Sequence, residues 1–322
     1  MRLLLAIALL ALASALSGCG SGDEPAGGER AAERVTLSLD FTPNAVHAPI
    51  YAAARDGRDR REGVELEIRK PGPGPDALKL IAAGKVDLGV LDIHDLAIAR
   101  EQGADLVAIG ALVGKPLAAL IGQPGLERPR DLEGRTVGVS GLPSDPAFLR
   151  AILEHDGADY DSVKQVTIGF SAVARLLSRR VDAVPAFWNA EGVALKAKGR
   201  DVAEFRVEDY GAPPYPEVVL VTSRKTLEAE RDTLERTLTA ISSGMQATLD
   251  DPDRSAREIA AAADSADVEL TRAQLDAVMP VFARGLKVDR DVLERWADFD
   301  AEIGIVEERP DVDRAFDLHL AG

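Results

Sequence analysis

The chain is short of the residues that make a protein reactive. It holds one cysteine, Cys19, in 322 residues. That excludes an intramolecular disulfide and any site built from several thiolates, so the fold must stand on its apolar core. A chain of this length buries enough surface to do so. Aromatic residues make up only 4% of the sequence and there are four histidines, so any clustering of either is informative. Basic residues are outnumbered 38 to 54, a net charge of −16, which argues against a nucleic-acid partner and against a peripheral binder of anionic membranes. Apolar runs of membrane-spanning length are missing, since Leu3 to Leu16 is too short. Gly-x-Ser-x-Gly, a Walker loop, His-Glu-x-x-His and any His/Asp/Glu cluster with metal-ligand spacing are missing too. No catalytic residue, no metal and no cofactor are expected.

What is present begins at the N-terminus. Met1-Arg2 gives a positive start to the apolar run, which ends in Leu16-Ser17-Gly18-Cys19. Small residues before a cysteine resemble a bacterial lipobox position by position. Residues 1–18 therefore read as a signal peptide, Cys19 as the lipidated residue, and 19–32 as a small, polar, flexible tether. This implies a membrane-anchored lipoprotein on the outer face of the cytoplasmic membrane.

The remainder is long for one core, so two lobes are the default. Val35-Leu39, Val64-Ile68, Val86-Leu91 and Leu106-Val113 read as strands. Between them Ala77-Ala83, capped by Asp76 and stopped by Gly84, and His94-Gln102 read as helices. That alternation predicts α/β architecture with parallel-rich sheets and flanking helices. The pattern then starts again. Arg135 to Pro143 has the rhythm of Arg34 to Pro43, and Leu176 to Pro185 echoes Ile81 to Val90. Leu117-Ile121 and Val218-Thr222 read as two crossover strands. The first lobe is placed at 33–123 plus 217–322 and the second at 124–216. From Lys225 onward four stretches carry apolar residues at helical spacing: Leu227–Leu249, Ser255–Ala263, Thr271–Ala283 and Asp291–Ile303.

In open parallel sheets, ligands bind beyond the carboxyl ends of the strands. That rule nominates Asp40-Phe-Thr-Pro-Asn-Ala-Val-His47, Asp92-Ile-His-Asp95, Ser140-Gly-Leu-Pro-Ser-Asp145, Phe187-Trp-Asn-Ala-Glu191 and Tyr215-Pro-Glu217. These segments hold two of the four histidines and one of the two tryptophans. Trp188, with a polar handle at the end of a short buried strand, is the strongest single candidate. Other readings stay open. Asp145 before Pro146 suits a helix cap, Asn44 a turn, and His94 a solvent-facing helix start, while Phe187 and Tyr51 read as core. Pro71-Gly-Pro-Gly-Pro75 reads as a plain turn rather than an anion cradle.

Leu39-Asp-Phe-Thr-Pro-Asn-Ala-Val-His-Ala-Pro-Ile-Tyr51 resembles the opening signature of the thiamine-pyrimidine-precursor family, and Ala83-Gly-Lys-Val-Asp-Leu-Gly89 fits it as well. That family includes solute-binding lipoproteins of ABC importers and pyrimidine-synthase enzymes. The resemblance implies a two-lobed, type II periplasmic-binding-protein-like fold that closes on its ligand by a hinge. It implies that Phe41 stacks on a flat ring and that Asn44 and His47 line the cleft. Further contacts are implied at Asp40, Asp92 and His94, at Ser140, Gly141 and Ser144, at Trp188, Asn189 and Glu191, and at Tyr215 and Glu217. The implied partners are a small-molecule ligand and the permease and ATPase subunits of an importer, with the chain itself a monomer.

The loop charges favour a small amino-bearing heterocycle: carboxylates and Asn accept from its N–H groups while aromatics stack on it. Sulfonate, nitrate and a riboflavin-like solute are the alternatives on the same fold. The pyrimidine-synthase relatives need a lysine beside Gly84–Asp95 to hold pyridoxal phosphate as a Schiff base. Here no lysine occurs between Lys85 and Lys115, and the cysteine cluster those enzymes carry near Tyr215–Leu220 is missing. His94 stands near their donor histidine. A binder rather than an enzyme is expected.

Overall fold

A computed structural model describes residues 32–72, 77–265 and 267–321. The expected signal peptide, Cys19, nearly all of the tether and the Asp76 cap lie outside the described residues. Ten strands run in chain order: β1 (Glu33–Ser38), β2 (Val64–Arg69), β3 (Leu88–Asp92), β4 (Leu106–Val113), β5 (Ala118–Gly122), β6 (Thr136–Val139), β7 (Lys164–Thr167), β8 (Ala183–Phe187), β9 (Ala203–Arg206) and β10 (Val218–Ser223). They form two five-stranded sheets, ordered β2-β1-β3-β10-β4 and β7-β6-β8-β5-β9.

The two sheets follow one plan. In each, the second strand pairs in parallel with both neighbours (β1 with β2 and β3, β6 with β7 and β8). In each, the fourth strand is antiparallel to both of its own neighbours (β10, then β5). The repeated rhythm in the sequence falls on equivalent positions, β1 with β6 and β3 with β8. The antiparallel strands are the crossovers, each entering the sheet of the other half of the chain.

This placement moves one expected boundary. Ala118–Gly122 bonds to β8 and β9 in the second sheet, so the first crossing falls between Val113 and Ala118 and not at 123. The edge strand β4 and the crossover strand β5 are dry: every residue of both is buried, as expected where both faces of a sheet are covered.

The C-terminal helices cover the first sheet. The helix Arg224–Asp250 buries Leu227, Leu234, Leu238, Ile241 and Met245, a stripe at helical spacing. It lies close against the helix Ala48–Arg55. A Cβ on Gly244 would stand 2.1 Å from the Pro49 carbonyl oxygen, so only glycine fits there. That contact fixes the helix whose N-terminal side carries the loop Asp40–His47. The helix expected to reach Ala283 ends at Val278, where Pro280 opens a short 3-10 turn, Met279–Val281.

Candidate ligand-binding cleft

Residues from both sheets enclose one cavity of about 310 Å³, at the small end of ligand pockets and suited to a one-ring molecule. From the first lobe come Asp40, Phe41 and Asn44 after β1, Asp92, His94 and Asp95 at the end of β3, and Glu217 ahead of β10. From the second come the turn Ser140–Asp145, Phe170 after β7, and Phe187 and Glu191 at the end of β8.

On the first lobe the polar groups are held from behind. His47 is fully buried. Its Nδ1 accepts the Asn44 amide at 3.2 Å, which leaves Nε2 to donate to Asp40 at 2.7 Å. Asn44 Oδ1 in turn accepts the Val46 amide and caps that turn. The histidine therefore aims Asp40 and does not itself face the cavity. Asp92 Oδ1 accepts the His94 amide at 2.7 Å and caps the helix Ile93–Glu101. His94 Nδ1 lies 2.6 Å from Asp300 of the helix Arg290–Glu302, and the ring stands edge-on to Tyr215. Glu217, with no exposed surface, accepts the amides of Leu117 and Ala118 through Oε2. It thus ties the two chain crossings together.

Burial sets the electrostatics. Burial raises Asp92 well above the usual carboxylate range; His94 opposes that and the facing Glu217 adds to it. Glu217 is raised for the same reason, against His94 and the two amides. Burial disfavours a charged His94, yet Asp300, Asp92 and Glu217 outweigh it and lift its pKa to about 10. Asp95 is pushed up to about 8 by burial and then by Asp92, against the Ser144 hydrogen bond. Burial also raises Asp145 and Glu191.

The second-lobe wall is mostly apolar. Its polar part is Glu191 and the turn after β6. There Asp145 Oδ2 accepts the Ser140 hydroxyl and the Gly141 amide, at 2.8 and 2.9 Å. Gly141 has φ +94°, a conformation glycine takes without strain. Contacts between the lobes include the rings of Phe41 and Phe170, 4.3 Å apart, the Ser144 amide donating to Asp95 at 3.2 Å, and Gln274 Nε2 donating to the Ala190 carbonyl at 3.0 Å.

A family model described as NMT1/THI5 like matches residues 44–255. The chain belongs to the NMT1/THI5-like family. The formylaminopyrimidine-binding protein of Halalkalibacterium halodurans is 32% identical over 269 residues, 83% of this chain and 80% of that one. The 4-amino-5-hydroxymethyl-2-methylpyrimidine phosphate synthase of Legionella pneumophila is 24% identical over 293 residues, 88% and 90% of the two chains. Among solved structures, the alkanesulfonate-binding protein SsuA from Xanthomonas axonopodis pv. citri bound to MOPS aligns with a TM-score of 0.72. That alignment has 17% identity and covers 89% of this chain and 99% of that one. It shows the fold, the two-lobed architecture of periplasmic binding proteins.

In this NMT1/THI5-like chain ten of the fourteen nominated cleft residues line the cavity: Asp40, Phe41, Asn44, Asp92, His94, Ser140, Gly141, Ser144, Glu191 and Glu217. Four do not. His47 stands behind Asp40, and Tyr215 stands behind His94, fully buried and stacked on Phe299. Asn189 is buried within the π-helical turn Trp188–Gly192. Trp188 turns toward the crossing: its Nε1 donates to the Pro116 carbonyl at 3.2 Å, and the Arg206 guanidinium covers its ring at 4.2 Å. Its neighbour Phe187, read as core, faces the cavity instead.

Sequence reasoning missed Phe170 and Phe148 as lining residues, named Asp95 only as the end of a nominated loop, and left Asp145 between two roles. His94, one of the readings of which put it in solvent, is 1% exposed. Lys79 is the one lysine among the described lining residues, on the exposed side of the helix Ala77–Ala82.

Proposed function

We propose that the chain is the extracytoplasmic solute-binding component of an ABC importer and takes a small amino-bearing heterocycle, such as a thiamine pyrimidine precursor, into this cleft. The observation that carries the reading is the lining. Phe41, Phe170 and Phe187 offer ring faces, while Asp40, Asp92, Asp95, Asp145, Glu191 and Glu217 offer acceptors. No arginine stands among the described lining residues, and the one lysine, Lys79, lies on the exposed side of its helix. A flat ring bearing N–H donors satisfies such a site, whereas a sulfonate or nitrate calls for Arg, Lys or free backbone amides.

The mechanism is hinge closure. The Phe41–Phe170 and Asp95–Ser144 contacts join opposite walls and form only when the lobes are together. A solute that touches both walls shifts the population toward the closed form, and a permease with its ATPase reads that shape. Lipidation at Cys19 would keep the binder at the membrane surface after removal of the signal peptide.

A synthase would need an amine for pyridoxal phosphate at the end of β3. Val90, Leu91 and Asp92 stand there, and these residues do not fit the cofactor. The binding role is therefore favoured over catalysis.

Thermal-shift measurements on residues 33–322 test the reading, with aminopyrimidines, flavins, an alkanesulfonate and nitrate as probes. A solute at a hundred times its Kd stabilises the folded form by about 2.7 kcal/mol. A rise in Tm with an aminopyrimidine supports the proposal. A rise with the sulfonate alone would overturn the ligand class.

A further inference from the structure

The floor of the cleft carries a second kind of order. Asp92, His94 and Glu217 bring one ligand atom each to within 4.8 Å of one another, the one such group among the described residues. Acidic groups gather in many proteins without a ligand; here the way each side chain is held is decisive. His94 commits Nδ1 to Asp300 and leaves Nε2 buried with no partner. Glu217 commits Oε2 to two backbone amides and leaves Oε1 buried with no partner. Asp92 commits Oδ1 to the His94 amide, and its carboxyl lies within hydrogen-bond reach of Glu217. His94 is 1% exposed and Glu217 not at all, and both line the cavity.

We propose that this trio binds a divalent transition-metal ion of the zinc class at the floor of the cleft, with its open coordination positions toward the cavity. Two carboxylates and one imidazole supply charge that cancels the ion, which takes the place of a proton on the imidazole. A carboxylate behind the far nitrogen of a ligating histidine, as Asp300 stands behind His94, is the usual support of a metal-bound imidazole. The imidazole donor and the lack of thiolates favour Zn²⁺, Co²⁺ or Ni²⁺ over softer ions. Magnesium and calcium ask for six or more oxygens. Zinc bonds of about 2.0–2.2 Å require the three side chains to draw together slightly. The ion's open side faces the solute space, so a ring nitrogen of the solute would complete the shell; that last step rests on the ligand reading above.

The test uses residues 33–322, stripped with EDTA and titrated with Co²⁺. One equivalent bound per chain, with a visible ligand-field band and displacement by one equivalent of Zn²⁺, is expected. Asp300→Asn, which touches only the support, weakens uptake by about 10–100-fold while keeping the band at saturation. Glu217→Gln weakens it further. Substoichiometric uptake by the unmutated chain, or uptake unchanged in Glu217→Gln, would overturn the proposal, and the first of these needs no variant to fold. A thermal shift with an aminopyrimidine in EDTA, without cobalt uptake, overturns the metal site and leaves the ligand reading standing. Cobalt uptake with no shift from any aminopyrimidine does the reverse.

Discussion

The two walls of the cleft are built from equivalent strands yet offer different chemistry. After β1 and β3 the first lobe presents Asp40, Asp92 and His94, each held by a partner behind or beside it, and Asp95, held across the cleft by the Ser144 amide. After β6, β7 and β8 the second lobe presents Phe170, Phe187, Leu142 and Pro143, with Asp145 engaged in shaping its own turn. One topology therefore supports two kinds of work. The first wall fixes orientation with hydrogen-bond acceptors that cannot swing away, and the second supplies the apolar cover that excludes water once the lobes meet. Glu217 belongs to both, since it faces the cavity and bonds the chain at the crossing into β5.

The largest expected effect tests that double role. Glu217→Ala removes a buried acceptor and frees the Leu117 and Ala118 amides. Loss of one partner in a buried charged contact costs about 2–5 kcal/mol, so solute binding measured by calorimetry should fall at least about thirtyfold. A loss confined to threefold would mean that the first wall does not orient the ligand. Phe170→Ala tests the second wall. The burial of one phenylalanine is worth about 1.5–3 kcal/mol, which places the loss at roughly ten- to a hundredfold. If instead the two substitutions act alike on every probe in the panel, the division between orienting and covering walls is wrong.

Trp188 shows how far the cleft was legible from sequence. Strand ends could be found because buried strands such as β3, β4 and β10 are continuous apolar runs. The echo between the halves placed the loops in pairs. Which side of a loop faces inward is decided by partners far along the chain. Trp188 is drawn away by the Pro116 carbonyl, 72 residues earlier, and no local pattern reports that. Phe170 was missed for the opposite reason. It follows β7, whose four residues are all exposed, so no apolar run marks the strand. Asp95 ends a nominated loop, but no local pattern reports that Ser144 of the other lobe bonds to it. Trp188→Ala should change solute affinity by less than about 0.5 kcal/mol, the range of substitutions away from a site. A larger loss in calorimetry would return the indole to the ligand contact first assigned to it.

An effect on stability rather than on affinity concerns what keeps the first wall in place. Asp56 ends the helix Ala48–Arg55, the helix that follows the Asp40–His47 loop, and lies against Arg55, Arg58 and Arg254. The Arg55 hydrogen bond, opposed by some burial and helped by the charges of all three arginines, lowers its pKa from 3.8 to about 2. A carboxylate whose folded pKa is depressed stabilises the fold at pH above its unfolded value and loses that contribution as pH falls through the folded one. Asp56→Asn should therefore lower Tm modestly at neutral pH, by an amount in the range of partly exposed ion pairs, up to about 1 kcal/mol. The gap from the unmutated chain should narrow between pH 4 and pH 2. Binding tells whether this scaffold matters to the cleft. If the variant keeps full affinity at pH 7, the close seating of the helix at Gly244 is enough to hold Asp40 in position. If affinity falls with Tm, the orienting wall depends on the arginine cluster at the far end of the helix, and the contrast between the two walls extends into what supports them.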